Sequence, residues 1–544
     1  MSGRGASPYW RARMNERAVG AADEDRVPAP TDEDSFFFRV VVATFAVSLL
    51  ALFVALPSVS QFSPDAWTVH ELAGTIGRDF FRANTAREYA TGSSYSSAFA
   101  PAWPLVVALF RLITGNIYSG YIASFLSYAA FAAAAELFGR RALGVRAAGV
   151  LSALLMLRFL GLREELSSGR SIPLYLCELA LLGTLLVGLD AAPRYRSALA
   201  GLLAGVMLMT RFDSLPAVAA LLIGAPFVGV SRDRVALLAA CIVVAIAPWI
   251  VYSLVHFNTV FVTDNRAVVL SLDPRAFVQD FHSGPQPTLL DAPVAWVAKV
   301  LRHIPSIGKA LVLSALESVF LPLLGVLSVA VARRAPSSSS TPWAFAALRA
   351  TTVPSRTVVL FVAITIAPIT GYVLTGYWDH RYFTASIWLA ELLLLAWLAR
   401  WEGRAEKVAM LALVVAGGVL SVAVLRYTLR SSPLAAVKLE LDRGPSESLV
   451  ACLRQDGASP DDGVVFTGRD VLGRFKFGAL TGWRVLPIPS NWPRLERSEQ
   501  DEFLRRYRAA YVMDSRSSPG PPIGRRDIPL ECALPLRKLD MRSP

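Results

Sequence analysis

The stretch FFFRVVVATFAVSLLALFVAL, residues 36–56, decides the fold: a single arginine interrupts an otherwise apolar run. A bilayer core about 30 Å thick is crossed by roughly 20 apolar helical residues, and this run has that length. Because the preceding residues 1–35 are mostly polar, the run reads as a membrane anchor and not as a cleaved signal peptide. Comparable runs recur as far as Tyr427 and then stop. The chain of 544 residues is 54% apolar and 18% charged, with a mean hydropathy of +0.46, too oily for a soluble protein of this size. The expected fold is an α-helical polytopic membrane protein.

Arginines orient the spans. With residues 36–57 as the first span and residues 1–35 cytoplasmic, the positive-inside rule can be applied to each later loop. Spans at 118–138 and 147–162 flank RRALGVR (140–146), and spans at 172–189 and 197–209 flank DAAPRYR (190–196). A span at 214–230 leads into SRDR (231–234), 235–255 leaves, and 310–332 returns to the arginine-bearing segment 333–356. Spans at 357–375 and 383–398 lead to ARWEGRAEK (399–407), and 408–426 exits again. About eleven spans over residues 36–428 therefore keep the basic loops inside. The outer side receives loops 58–117, REELSSGRS (163–171), 257–309 and GYWDHRY (376–382), with a tight turn at TRFD (210–213). The short run PAWPLVVALFRLITG (101–115) opens with two prolines and reads as a juxtamembrane helix on that side.

The rest of the chain, residues 431–544, reads as a small extracytoplasmic α/β domain. Helices are expected at SESLVACLRQ (446–455) and SEQDEFLRRYRAAY (498–511), and strands at VVFTG (464–468), WRVLPIP (483–489) and YVMDS (511–515). Cys452 and Cys532 fall here and can pair, whereas Cys177 and Cys241 lie in apolar runs. The net charge of +12 comes without a Lys/Arg stripe interleaved with aromatics, so topology explains it and nucleic acid is not expected as a partner. No GxGxxG, P-loop, HExxH or GxSxG sits in a strand-turn-helix context. Nucleotide-driven, zinc and serine hydrolase chemistry thus lack support.

The candidate chemistry collects on the outer side. Asp65, in QFSPDAWTVHELAGTI (61–76), lies just after the first span with His70 and Glu71 a turn or two on. A carboxylate there suits a general base or, alternatively, a helix cap after Pro64. Glu164 and Glu165 share their short loop with Arg163 and Arg170, as acid/base or metal ligands or as a solvated rim. Arg211 and Asp213 interrupt MLMTRFDSLPAV (207–218), where a charge near hydrocarbon costs about 2.5–3.5 kcal/mol; mutual pairing is the plain alternative. Asp379, His380, Arg381 and Tyr382 precede a span, and an arginine can fork two hydrogen bonds onto a phosphate. An interfacial aromatic belt accounts equally for Tyr377, Trp378 and Tyr382. Asp264 and Asn265 line a site or shape a turn.

The order of these features resembles the membrane-embedded GT-C superfamily of glycosyltransferases, which includes protein O-mannosyltransferases, aminoarabinose transferases of lipid A and lipopolysaccharide-core sugar transferases. The matching pieces are Asp65 after the first span, LFGRRALGVRAAGVLSALL (137–155), ALAGLLAGVMLMTRFDSL (198–215), APWIVYSLVHFN (247–258) with TDN (263–265), RYF (381–383), and ALTGWRVLPIP (479–489) in the tail. The resemblance implies a polyprenyl-phosphate sugar as donor and an extracytoplasmic lipid, glycan or protein as acceptor. It makes Asp65 the base on the acceptor hydroxyl, turns Arg381 and His380 toward the donor phosphate, and puts Arg211 and Asp213 in the pocket beneath. Many members carry paired acids in the first loop, whereas Ala66 follows Asp65 here, and the second acid falls to Glu164 or Glu165. No organic cofactor is implied; a divalent metal has room. The richness in Arg and Ala suggests a bacterial inner membrane. The rival reading is a transporter or flippase, which would place charges at mid-span along a substrate path.

Overall fold

The apolar run is helical through residue 55, as helix α1 (Asp32–Ala55), in a computed structural model that describes residues 32–55, 64–82, 96, 99–114, 118–144, 146–263, 269–272, 288–333, 355–375, 379–398, 443–467, 477–489, 491–514, 527–530 and 536–539. After it come α2 (Pro64–Thr75), α3 (Ala102–Thr114), α4 (Ser119–Phe138), α5 (Ala148–Met156), α6 (Leu160–Ser167), α7 (Ile172–Leu186) and α8 (Arg194–Thr210). The chain continues through α9 (Leu215–Gly224), α10 (Arg232–Phe257), α11 (Pro293–Arg333), α12 (Ser355–Ile366), α13 (Pro368–Thr375) and α14 (Thr384–Leu398). Among the described residues, four helical stretches are long and apolar enough to cross a membrane: Phe36–Val54, Ser119–Leu143, Arg232–Phe257 and Arg356–Thr375. A fifth results if α6 and α7 form one broken span. The expected last span at 408–426 lies outside the described residues.

Two expectations are corrected here. The span expected at 147–162 is interrupted: α5 has nine residues, about 14 Å of helix at 1.5 Å per residue. REELSSGRS is largely helix, not loop, since α6 runs to Ser167 and bends by 115° into α7. Gly169 at φ +64° makes that turn, a left-handed conformation that glycine adopts without steric cost. The juxtamembrane reading of α3 agrees with its 13 residues, about 20 Å and short of a bilayer core.

The bundle has two chemically distinct ends. Where α7 finishes, Arg196 donates to the carbonyls of Thr184, Leu185 and Val187, and Arg234 to that of Leu189. Cations at a helix C-terminus complete its unpaired carbonyls and favour its dipole. At the other end, about 22 Å away along the 15 residues of α7, stand Glu165, Arg170 and Arg211. Buried polar contacts tie the helices between these ends. Glu136 of α4 accepts the amides of Ala147 (2.9 Å) and Val150 (3.4 Å) at the start of α5. Arg158 and Glu391, both buried, meet at 2.7 Å between α5 and α14.

The tail forms a five-stranded sheet of order β2-β1-β3-β5-β4, from β1 (Gly463–Phe466), β2 (Val485–Pro487), β3 (Ala509–Met513), β4 (Asp527–Pro529) and β5 (Leu536–Leu539). β1 is parallel to β2 and β3; β5 is antiparallel to both its neighbours. Helices α15 (Arg443–Gln455) and α16 (Arg497–Arg506) supply Leu453 to one face and Phe503 to the other. Adjacent Val464 and Val465 are consequently both buried, the continuous apolar pattern of a doubly covered sheet. Strands β4 and β5 exceed the sequence expectation, because each is too short and polar to announce itself. Cys452 is disulfide-bonded; its expected partner Cys532 lies outside the described residues. Arg82, after α2, pairs with Asp461, and Ala479 and Leu480 pack on the helical core, so the tail sits at the end of the bundle that carries α2.

Replacing Glu391 with Ala leaves the buried Arg158 guanidinium uncompensated and is expected to cost about 3–5 kcal/mol of stability, measured as a lowered denaturation midpoint of the purified protein in detergent.

Candidate active site

Asp65 stands in the first turn of α2, where the helix N-terminus favours a negative charge. Its Oδ2 lies 3.2 Å from Nη2 of Arg381 and 3.8 Å from Nη2 of Arg170. The side chain retains 26% exposure, so the carboxylate is both held by cations and reachable from outside. Capping and chemistry were alternatives in the sequence; the carboxylate here occupies the helix start and faces two guanidiniums at once.

Glu165 is the buried member of its pair. Its Oε1 meets Arg170 at 3.1 Å and Arg381 at 3.4 Å, and its Oε2 accepts the amide of Ile172 at the start of α7 at 3.4 Å. Glu164, the next residue back on α6, is exposed. Asp65 and Glu165 therefore alternate with Arg170 and Arg381, and Asp379 lies 3.4 Å from Nε of Arg381 as a third carboxylate, which is what keeps buried charges tolerable: an unpaired ion there would cost several kcal/mol.

Arg381 belongs to a 3-10 turn, His380–Phe383, that leads into α14. Its main chain presses against α6 so closely that a β-carbon on Gly161 would fall 2.7 Å from the Arg381 backbone. His380 Nδ1 lies 3.2 Å from the Ser314 hydroxyl of α11. Nη2 of Arg381 also donates to the Tyr382 hydroxyl at 3.3 Å.

Beneath this layer, Arg211 at the end of α8 grips Asp213 through two bonds of 3.0 and 2.6 Å, and Tyr372 of α13 donates to Asp213 at 2.7 Å. The Tyr372 and Tyr382 rings stack with centroids 4.7 Å apart. The Arg211 and Arg381 guanidinium carbons lie 5.5 and 5.1 Å from the Tyr382 centroid, within cation–π range. Tyr382 thus joins the upper and lower charge layers, more than a membrane-belt aromatic would do; Tyr377 and Trp378 lie outside the described residues. A narrow pocket of about 20 Å³ opens between the layers, lined by Tyr175, Arg211, Asp213, Tyr372, Arg381 and Tyr382 among others.

Of the remaining candidates, His70 and Glu71 are buried in α2. His70 packs into a separate small pocket with Trp67, Val107 and Gly169. Burial, and secondarily the charge of Arg111, lowers its imidazole to about 3, so it is neutral near pH 7. Asp264 and Asn265 lie outside the described residues. Among the described residues no group of three or more His, Cys, Asp or Glu side chains converges as metal ligands would. Arg170, Tyr175 and Tyr372 are the members that sequence reasoning did not select; a buried arginine or tyrosine has no local signature that separates it from a snorkelling or belt residue.

The fold has counterparts among solved structures. ArnT from Cupriavidus metallidurans in the apo state matches with a TM-score of 0.50 and 15% identity, over 88% of this chain and 93% of that one. The same ArnT bound to undecaprenyl phosphate matches at 0.49 and 15%, with the same coverage. The oligosaccharyltransferase AglB from Archaeoglobus fulgidus, in complex with an inhibitory peptide and a dolichol-phosphate, matches at 0.47 and 12%, over 87% of this chain and 69% of that one. No protein-family model and no curated protein sequence matches the chain. The likeness to apo ArnT shows that the chain has the GT-C fold expected from its order of features.

Two outcomes follow from the charges. Arg381→Ala should cost about 1.5–3 kcal/mol by leaving the buried Glu165 with Arg170 as its remaining cation, and adding Glu165→Ala should restore part of it, a coupling of about 0.5–3 kcal/mol read from denaturation midpoints of the double-mutant cycle. For His70, the folded state resists protonation, so below pH 6.5 the unfolded chain takes up a proton that the folded chain does not. Stability should then fall by about 1.4 kcal/mol per pH unit until the folded imidazole titrates near pH 3. His70→Leu should flatten that part of the stability–pH curve.

Proposed function

We propose, from the shared fold and the charged layers at one end of the bundle, that this chain is a membrane glycosyltransferase that moves a sugar from a polyprenyl-phosphate donor to an extracytoplasmic acceptor, with inversion at the anomeric carbon. The observation that carries the reading is the 3.2 Å approach of Asp65 to Arg381: a partly exposed carboxylate beside a forked cation is the pair that such a transfer needs. The relatives in fold point the same way, since the ArnT and AglB structures hold undecaprenyl phosphate and a dolichol-phosphate.

In this reading the acceptor oxygen attacks the anomeric carbon as the bond from that carbon to the phosphate oxygen breaks. Asp65 takes the acceptor's proton, and the leaving lipid phosphate carries away the bonding electron pair. Its growing charge is met by Arg381, assisted by Arg170 and His380. Donors preorganised around a developing charge are worth far more in a water-poor site than in bulk water. Glu165 holds both guanidiniums in place; Arg211 and Asp213 shape the pocket beneath. Attack from the side opposite the leaving group gives inversion.

The same reading takes the chain as crossing a bacterial inner membrane about eleven times, with the N-terminus cytoplasmic and residues 431–544 as a small α/β domain outside. The separation of Arg196 and Arg234 from Asp65 by the length of α7 supports that orientation under the positive-inside rule. So does the Arg82–Asp461 pair, which joins the tail to the end that carries α2. A prenyl tail needs lipid and a sugar needs water, and one site at the outer interface serves both.

Transfer of radiolabelled sugar from a panel of polyprenyl-phosphate sugars to membrane extracts tests the reading. Asp65→Asn is expected to lower turnover by about 10²–10⁴-fold, the usual worth of a general base, in a protein that remains folded, with a cooperative denaturation transition as the check. Equal activity of the two proteins would remove Asp65 from the chemistry. Failure of the wild type with every donor would instead favour transport.

A further inference from the structure

Tyr175 lies in the first turns of α7, 6% exposed, on the wall of the pocket that Arg211, Asp213, Arg381 and Tyr382 share. Its hydroxyl is fully buried and has no hydrogen-bond partner among the described residues. This is unusual, because a buried tyrosine hydroxyl normally finds a partner and leaving one unpaired costs about 1–3 kcal/mol. The neighbouring tyrosines are satisfied: Tyr372 donates to Asp213 and Tyr382 accepts from Arg381. A second donor on the same pocket is in the same condition, since Nε of Arg381, although 3.4 Å from Asp379, makes no hydrogen bond. The carboxylates nearby are already engaged, Asp213 by Arg211 and Tyr372 and Asp65, Glu165 and Asp379 by Arg381, so these two donors are left without an acceptor among the described residues. What the pocket lacks is an acceptor for them, and the guanidiniums of Arg211 and Arg381 beside it favour an anionic one.

We propose that the Tyr175 hydroxyl is a binding group of this site, donating to a phosphoryl oxygen of the lipid-phosphate headgroup that enters between Arg381 and Arg211. The inference rests on the glycosyltransferase reading for the identity of the ligand, and adds to it a residue and a place: the phosphate seats at the Tyr175 level of the pocket. The pocket is too narrow, at about 20 Å³, for a phosphate with its present side-chain positions, so entry requires the Tyr382 or Arg381 side chain to give way. Tyr175 itself is fixed in place by its helix and serves as the stationary donor.

The test is Tyr175→Phe in the full chain, reconstituted in nanodiscs, with binding of undecaprenyl phosphate alone, binding of the polyprenyl-phosphate sugar, and the denaturation midpoint without lipid as readouts. The variant removes one oxygen that has no partner in the folded protein. The midpoint is therefore expected to stay the same or rise, while the Kd for both lipids rises about tenfold or more, as for loss of a hydrogen bond to a charged group. An unchanged Kd would overturn the proposal, and so would a lowered midpoint, which would mean the hydroxyl serves the fold. Weakened binding of the sugar-bearing lipid alone would overturn the assignment to the phosphate. A wild type that transfers sugar while Tyr175→Phe binds and transfers equally well sinks this inference only; a wild type that neither binds undecaprenyl phosphate nor transfers sugar sinks the function it rests on.

Discussion

Arg381 lies between two carboxylates from distant parts of the chain, Asp65 and Glu165, and most of what surrounds the site follows from having to keep that one guanidinium buried and paired. A charge removed from water is tolerable only with partners in good geometry. The planar fork of arginine meets two carboxylates where the single ammonium of a lysine would not. Arg170 is then needed to balance the second carboxylate, and the Ile172 amide takes the remaining Glu165 oxygen. Gly161 lets the Arg381 main chain approach α6, and the Tyr382 ring lies within reach of both Arg381 and Arg211. The break between α5 and α7 belongs to the same constraint, because only a short, turned α6 can present Glu165 to the end of the bundle.

A site whose charges are already matched behaves differently from an open cationic cleft. In the proposed function, a lipid phosphate entering it would compete with Asp65 for Arg381, so that binding of the donor and release of the proposed base from its cation would be one event. The deeper pair, Arg211 with Asp213, is held by the bidentate contact and by Tyr372, and stays in place as a floor. The buried contacts elsewhere, Arg158 with Glu391 and Glu136 with the start of α5, are closed on themselves. They tie helices together and leave the reactive polarity at one end.

What the sequence by itself determined is everything that depends on transfer between water and lipid. Residues 36–55 are an apolar helix whatever surrounds them, the arginines of 190–196 and 231–234 lie together at one end, and the short apolar runs near Val464, Val485 and Val512 form strands of one sheet. The acidic residue after the first span, the late arginine and the Arg211–Asp213 interruption were also legible, since a charge beside an apolar run is conspicuous against the cost of burying it. Tertiary structure alone decided their partners. It separated buried Glu165 from exposed Glu164 by one helical step, drew in Arg170 and Tyr175, and sent His70 into a pocket of its own. It also broke the expected span at 147–162, where α5 ends at Met156 and α6 packs through Gly161 against the Arg381 main chain. Asp65 and Arg381 stand 316 positions apart; hydropathy is a property of neighbours in the chain, whereas their ion pair is a property of how the helices pack.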